Sequence, residues 1–270
     1  MRRISHADWI AGSSPAMTLL GAVLHERFVS NPTASKSATT KQVMKSATRL
    51  VIFDCDGVLV DSEPLAMRVL LEALAAAGYR IDEASAYERF LGRSLATMQT
   101  ILRSELGFEL STDRLERMRL HLFEVYRCEL RPMPGIGETL DRLTIPYCVA
   151  SSSLPERIRV SLEVTGLLPR FAPHLFSATM VANGKPAPDL FLHAARQSGV
   201  DPGACLVLED SGPGIEAARR AGMRVFAFAG GSHARRPGYR ERLADLKPDR
   251  LFDDMRQLPD LIAPSGEAAG

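Results

Sequence analysis

The chain has 270 residues, 46% of them hydrophobic, and 33 Lys and Arg against 32 Asp and Glu give a formal net charge of +1. That supports one large or two small domains with a proper core, and offers no field to attract nucleic acid or an anionic membrane, so neither is expected as a partner. Four scattered cysteines, Cys55, Cys128, Cys148 and Cys205, form no C-x-x-C pair; they read as free thiols of a reducing cytoplasm, not as a disulfide or zinc framework.

Residues 1–48 have no sustained period, and 31–48 are dominated by Ser, Thr, Ala and Lys, so a disordered or loosely helical extension is expected. The apolar run from Thr18 to Leu24 is too short to span a bilayer and lacks a small-residue cleavage site after it. A transit-type leader and a non-native extension both stay open, with folding competence expected from near Met44. Val51-Ile52-Phe53 then reads as a strand buried on both faces, closing on Asp54-Cys55-Asp56-Gly57. From Pro64 to about Arg131 the spacing is helical: Leu65, Val69, Leu70 and Leu74, then Ile101, Leu102 and Leu106, then Leu115, Met118, Leu122 and Val125. A sheet cannot absorb this block, so residues 64–131 are expected to form an all-helical cap that folds over the strand end as a lid. Pro134-Gly135 restarts the alternation, with a helix over 136–143 and a strand over 146–150 that ends in Ser151-Ser152-Ser153. The helix from Pro155 is expected to be capped by Ser153 or its neighbour. A short strand over 174–178 precedes Gly184-Lys185-Pro186, and Asp189 is expected to cap a helix over 190–197. The strand 205–208 closes on Glu209-Asp210-Ser211, and a helix then runs to near Gly222. A strand over 223–228, a solvated loop over 230–236 and two short pieces within 251–262 complete the pattern. The expected fold is α/β: a Rossmann-like parallel-sheet core from residues 49–63 and 132–263, an inserted helical cap, and a flexible tail over 264–270.

Ligands of open α/β sheets bind beyond the carboxyl ends of the strands, where Asp54 and Asp56 stand. Residues two apart on an extended backbone project to one side, so both carboxylates can face one substrate atom. Asp54, ionised at neutral pH, can attack phosphorus to give an acyl phosphate, with Asp56 as general acid and then base. Two acids held close favour one staying protonated, and that role falls to Asp56. Ser151 and Ser152 offer hydroxyls and backbone N–H groups to a phosphate, Lys185 is a cation with a fixed backbone, and Glu209 and Asp210 read as cation ligands. Cys55 is a packing residue, because the flanking carboxylates raise its pKa.

Asp54-x-Asp56-Gly57-Val58-Leu59-Val60-Asp61-Ser62, Ser151, Gly184-Lys185-Pro186-x-Pro188-Asp189 and Glu209-Asp210-Ser211, with Gly214-Ile215 and Ala221-Gly222-Met223 after them, resemble the haloacid dehalogenase superfamily in order and spacing over roughly residues 49–262. The helical insert after the first motif resembles the subgroup holding phosphoglycolate phosphatase, beta-phosphoglucomutase and 6-phosphogluconate phosphatase. The resemblance implies Asp54 as nucleophile, Asp56 as acid/base, and Ser151 and Lys185 on the phosphate. It implies Mg²⁺ on Asp54, the Asp56 backbone carbonyl and Asp210, with Glu209 supporting. Ala66 and Leu95 stand where the mutase carries a histidine and a phosphate-gripping arginine, which argues for hydrolysis; Arg93 remains in reach of an anionic substrate. The expectation is a Mg²⁺-dependent phosphatase of a small phosphorylated metabolite, a sugar or sugar-acid phosphate, acting as a monomer or weak homodimer. A phosphosugar mutase is the alternative. A phospho-accepting signalling domain is disfavoured because Asp56 would hydrolyse its acyl phosphate.

Overall fold

The structure, a computed structural model, describes residues 47–263; the expectations for residues 1–46 and 264–270 fall outside the described residues. In chain order, β1 (Leu50–Phe53) is followed by α1 (Glu63–Ala76), α2 (Glu83–Phe90), α3 (Leu95–Leu106), α4 (Thr112–Glu129) and α5 (Ile136–Arg142). Next come β2 (Tyr147–Ser151), α6 (Pro155–Val164), α7 (Leu168–Phe171), β3 (Leu175–Ser177) and α8 (Asp189–Gln197). The chain closes with β4 (Cys205–Glu209), α9 (Gly212–Arg220), β5 (Arg224–Phe228), α10 (Tyr239–Asp245), β6 (Arg250–Phe252) and α11 (Leu258–Ile262). The strands form one parallel sheet in the order β3-β2-β1-β4-β5-β6, which is the expected α/β architecture.

The central strands are apolar except at their ends because both faces of the sheet are covered. Along β1, Leu50 and Ile52 join one core cluster while Val51 and Phe53 join the other. Cys205 and Val207 alternate with Leu206 and Leu208 on β4 in the same way. Each such side chain stabilises the fold by about 1.5–3 kcal/mol through burial. After β1 the chain goes to β2 and β3 on one side and then crosses to β4 on the other, so β1 lies at a topological switch point, where ligands of such sheets bind.

The helices α1 to α4 add no strand. The starts of α2, α3 and α4 carry the polar caps that the backbone N–H groups need: Asp82, Ser94 and Ser111 accept from Ser85, Thr97 and Arg114 N–H. The two chain crossings that flank them run side by side. Asp61 N–H donates to Arg131 O (3.1 Å), Met133 N–H donates to Leu59 O (2.8 Å), and Val60 and Pro132 form an antiparallel bridge. No helix among the described residues is long and apolar enough to cross a membrane.

Four local expectations need correction. Residues 232–235 form a 3-10 turn that buries His233 and Ala234, because Ser232 N–H donates to the Asp61 carboxylate and draws the loop inward. The helix α10 follows it, unread in the sequence because only Tyr239 and Leu243 of its seven residues are buried. Asp189 lies inside α8 after the N-cap Pro188, and its carboxylate accepts from Asn183 N–H (3.2 Å) and Nδ2 (3.0 Å), tying down the Lys185 loop. Ser153 does not cap α6; Leu154 holds that place without a side-chain bond, and the Ser153 hydroxyl is used elsewhere.

Phe53 is fully buried and makes edge-to-face contacts with Tyr147 and Phe171 at 6.2 and 5.9 Å. Phe53→Ala is expected to cost about 3–5 kcal/mol, read as a lower urea midpoint with an unaltered slope.

Candidate active site

The register of three strands assembles the site. Phe53 is level with Leu208 on β4 and with Val149 on β2. The next residues along, Asp54, Glu209 and Ala150, therefore emerge side by side, and Asp54 N–H still donates to Leu208 O (3.0 Å). Into this gap the loop before α8 sends Lys185, 4% exposed. Its Nζ donates to Asp54 Oδ1 (2.7 Å), Glu209 Oε1 (2.5 Å) and Ala150 O (3.1 Å), and it lies 4.9 Å from the Phe191 ring centroid. All three ammonium protons are satisfied in a dry setting, and the two carboxylates hold the Lys185 pKa above its ordinary value even though burial works against the charge.

Glu209 is fully committed. Its Oε2 accepts from Asp210 N–H, Ser211 N–H and Ser211 Oγ at 2.9–3.1 Å while Oε1 holds Lys185. Gly214 must lack a Cβ here, because one would fall 1.9 Å from the Glu209 carboxylate. Asp210 differs: its Oδ2 is buried and has no hydrogen-bond partner. Oxygens of Asp54, Glu209 and Asp210 lie within 4.8 Å of one another. Three carboxylates around one lysine leave negative charge for a hard divalent cation to balance, and the orphaned Asp210 oxygen is a ready ligand; these residues fit such an ion. Gly57, at φ 76°, is required twice over, since a Cβ there would lie 1.9 Å from Asp210 Oδ2.

Asp56 faces different company. Its carboxylate accepts from Ser62 Oγ (2.6 Å), Ser153 Oγ (2.7 Å), Arg157 Nη2 (2.8 Å) and, at 3.5 Å, Ser151 Oγ. Burial alone raises its pKa, but the Arg157 guanidinium and the two nearest hydroxyls outweigh that and hold it below the usual carboxylate range. Asp54 is pushed well up, first by burial and then by Glu209, Asp210 and Asp56, with Lys185 opposing. The expectation that Asp56 is the acid kept protonated is thereby reversed for this arrangement, and the reason is Arg157, which lies 101 residues away in sequence. The Cys55 thiol is buried and pushed well up, by burial and then by Asp56 and Asp54, in keeping with packing.

A cavity opens beyond these groups, lined by Asp54, Asp56, Ser151 and Ser152 below and by Ala66, Arg93 and Leu95 among the residues above. The predicted residues Asp54, Asp56, Ser151, Lys185, Glu209 and Asp210 are all buried and converge at the strand ends. Ser152 reaches toward the helical insert, donating to Gly92 O (3.3 Å), and Arg93 lines the cavity with a side chain that makes no hydrogen bond to another described residue. Sequence reasoning missed Ser62, Ser153 and Arg157 on Asp56. It also missed Glu63, which is buried at the start of α1, and passed over His233, whose Nε2 lies 2.9 Å from Asp210 Oδ2 without the alignment of a hydrogen bond. Ser62 and Ser153 stood inside quoted motifs; Arg157 and His233 carried no local signal.

Removing Lys185 leaves two buried carboxylates facing each other. Lys185→Met is expected to lose about 3–5 kcal/mol at pH 7.5. Without the ammonium the folded-state carboxyl pKa values rise, so protonation favours the folded variant and the deficit shrinks as pH falls toward 5; urea melts at both pH values check the sign.

The 6-phosphogluconate phosphatase of Escherichia coli is 30% identical over 217 residues, covering 80% of this chain and 95% of that protein. A conserved haloacid dehalogenase-like protein of unknown function from Agrobacterium tumefaciens superposes with TM-score 0.69 at 39% identity, over 82% of this chain and all of that one. A family hydrolase from Deinococcus radiodurans, solved with bound phosphate and sodium, superposes with TM-score 0.62 at 28% identity, over 81% and 99%. Residues 48–222 match the model of the haloacid dehalogenase-like hydrolases, and the chain belongs to that family.

Proposed function

We propose that the protein is a Mg²⁺-dependent phosphatase of a small phosphorylated metabolite, a sugar or sugar-acid phosphate, working through a phosphoryl group carried on Asp54. The observation that carries this reading is the convergence of Asp54, Lys185 and Asp210 at adjacent strand ends, with Asp56 on the same cavity. The relative named for 6-phosphogluconate supports the substrate class.

In this reading Asp54, Asp210 and the Asp56 backbone carbonyl hold the metal, while Glu209 anchors Lys185. When bound, Mg²⁺ neutralises phosphate oxygens and the carboxylate that must approach them. Asp54 attacks phosphorus and the ester P–O bond breaks. Lys185 and the Ser151 hydroxyl bind the phosphoryl oxygens, and the leaving alkoxide takes a proton from Asp56. An incoming phosphate dianion beside Asp56 raises its proton affinity against the pull of Arg157, so the acid is loaded as substrate binds. Water then attacks phosphorus on Asp54 and gives a proton to Asp56, which restores both carboxyl groups and releases phosphate. Residues 64–131 act as the lid that excludes competing water. Arg93 reaches an anionic group of the substrate, and Ser152, bonded to Gly92 O, couples phosphate binding to the lid. Ala66 and Leu95 place no cation on the cavity for a second phosphate, which favours hydrolysis over transfer between positions of a sugar.

Asp54→Asn is expected to cut phosphate release about 10³-fold or more while leaving the circular-dichroism spectrum and melting curve close to wild type. Retained turnover would remove Asp54 from the mechanism. Chelation should abolish phosphate release from a metabolite panel and added Mg²⁺ restore it; a rate indifferent to both contradicts the metal reading. A product that keeps its ester linkage would indicate a mutase instead.

A further inference from the structure

Glu63 is the first residue of α1, 8% exposed, and lines the same cavity as Asp54 and Asp56. Its side chain makes no hydrogen bond or ion pair with any described residue, and its carboxyl group faces the cavity, open to whatever enters. Around it the cavity wall is largely apolar, formed by Met67, Leu70, Phe90, Leu95, Met98 and Leu122. Arg93 on the same wall is a donor only, so Glu63 is the one carboxyl that α1 to α4 contribute to this cavity among the described residues.

We propose that Glu63 is a specificity-determining residue that hydrogen-bonds a hydroxyl of the substrate's leaving group close to the phosphoester, so that the enzyme selects polyol phosphates over alkyl phosphates of the same length. The proposal rests on the phosphatase reading above. The ligand chemistry follows from the surroundings. Burial, then Asp56 and Asp210, raise the Glu63 pKa to about 8. A carboxyl group accepts from an alcohol O–H in either protonation state and in its neutral form also donates to the alcohol oxygen, which matches a hydroxyl. Ser62 is already spent on Asp56 and Arg157 is paired there too, so neither can take this role.

The test compares wild type, Glu63→Ala and Glu63→Gln, each with Mg²⁺, on sorbitol phosphate and n-hexyl phosphate, matched in carbon number. Wild type is expected to prefer the polyol ester in kcat/KM. Glu63→Ala should reduce that preference about tenfold or more, as for loss of a hydrogen bond to a substrate hydroxyl, and Glu63→Gln, which keeps a donor and an acceptor, should recover most of it. A merely structural role would lower both esters in proportion and leave their ratio as in wild type, which overturns the proposal. So does a Gln variant no better than Ala, or wild type that hydrolyses both esters without preference. Wild type that releases phosphate from neither ester, nor from the wider panel, overturns the phosphatase reading and this inference together.

Discussion

Everything in the site depends on one buried ammonium shared by two carboxylates. Lys185 touches Asp54 and Glu209 at once, with Ala150 O as third acceptor, at the ends of three adjacent strands. A charge this dry is tolerable only when every proton is used, and the parallel register supplies the acceptors at the right height. The same register brings Asp210, one residue beyond Glu209, beside Gly57, where the absence of a Cβ lets its carboxylate approach the first loop. The excess of three carboxylates over one lysine is what makes this corner suited to a divalent ion instead of a closed salt bridge.

The two aspartates of the first motif differ by what surrounds them, not by what they are. Asp54 shares its lysine with Glu209 and lies among further acids, so its charge is destabilised until more positive charge arrives. Asp56 is held by two hydroxyls and a guanidinium, and its charge is favoured despite burial. Two chemically identical groups two residues apart thus acquire opposite tendencies from their neighbours alone. Arg157 in turn lies over the ring of Tyr126 on α4, 5.7 Å from its centroid, so the acid's setting is linked to the position of the helical insert.

That insert supplies most of the apolar cavity wall together with Glu63 and Arg93, while Asp54 and Asp56 follow β1 and Arg157 comes from α6. Its two tethers are hydrogen-bonded to each other and begin directly after the first motif, so a rotation about them would change the roof of the cavity and leave the strand ends in register.

Contiguous residues were enough to determine the buried strands, the helical block after Ser62 and the polar clusters at three strand ends. Two-sided burial leaves an unbroken apolar run, and a carboxylate at the end of such a run stands where ligands bind and where packing has no use for its charge. Local pattern was also enough for Gly57, whose positive φ follows from the turn. It was not enough for Asp189, which is the first residue inside α8 and not its N-cap, nor for the loop around His233, whose polar sequence conceals a buried turn pinned by Asp61. The pairing of Arg157 with Asp56, the solitude of Glu63 and the approach of His233 to Asp210 were decided only by the tertiary structure. Arg157 reaches Asp56 through the packing of α6, and His233 reaches Asp210 because β5 lies beside β4; such contacts depend on distance in space, on which spacing along the chain is silent.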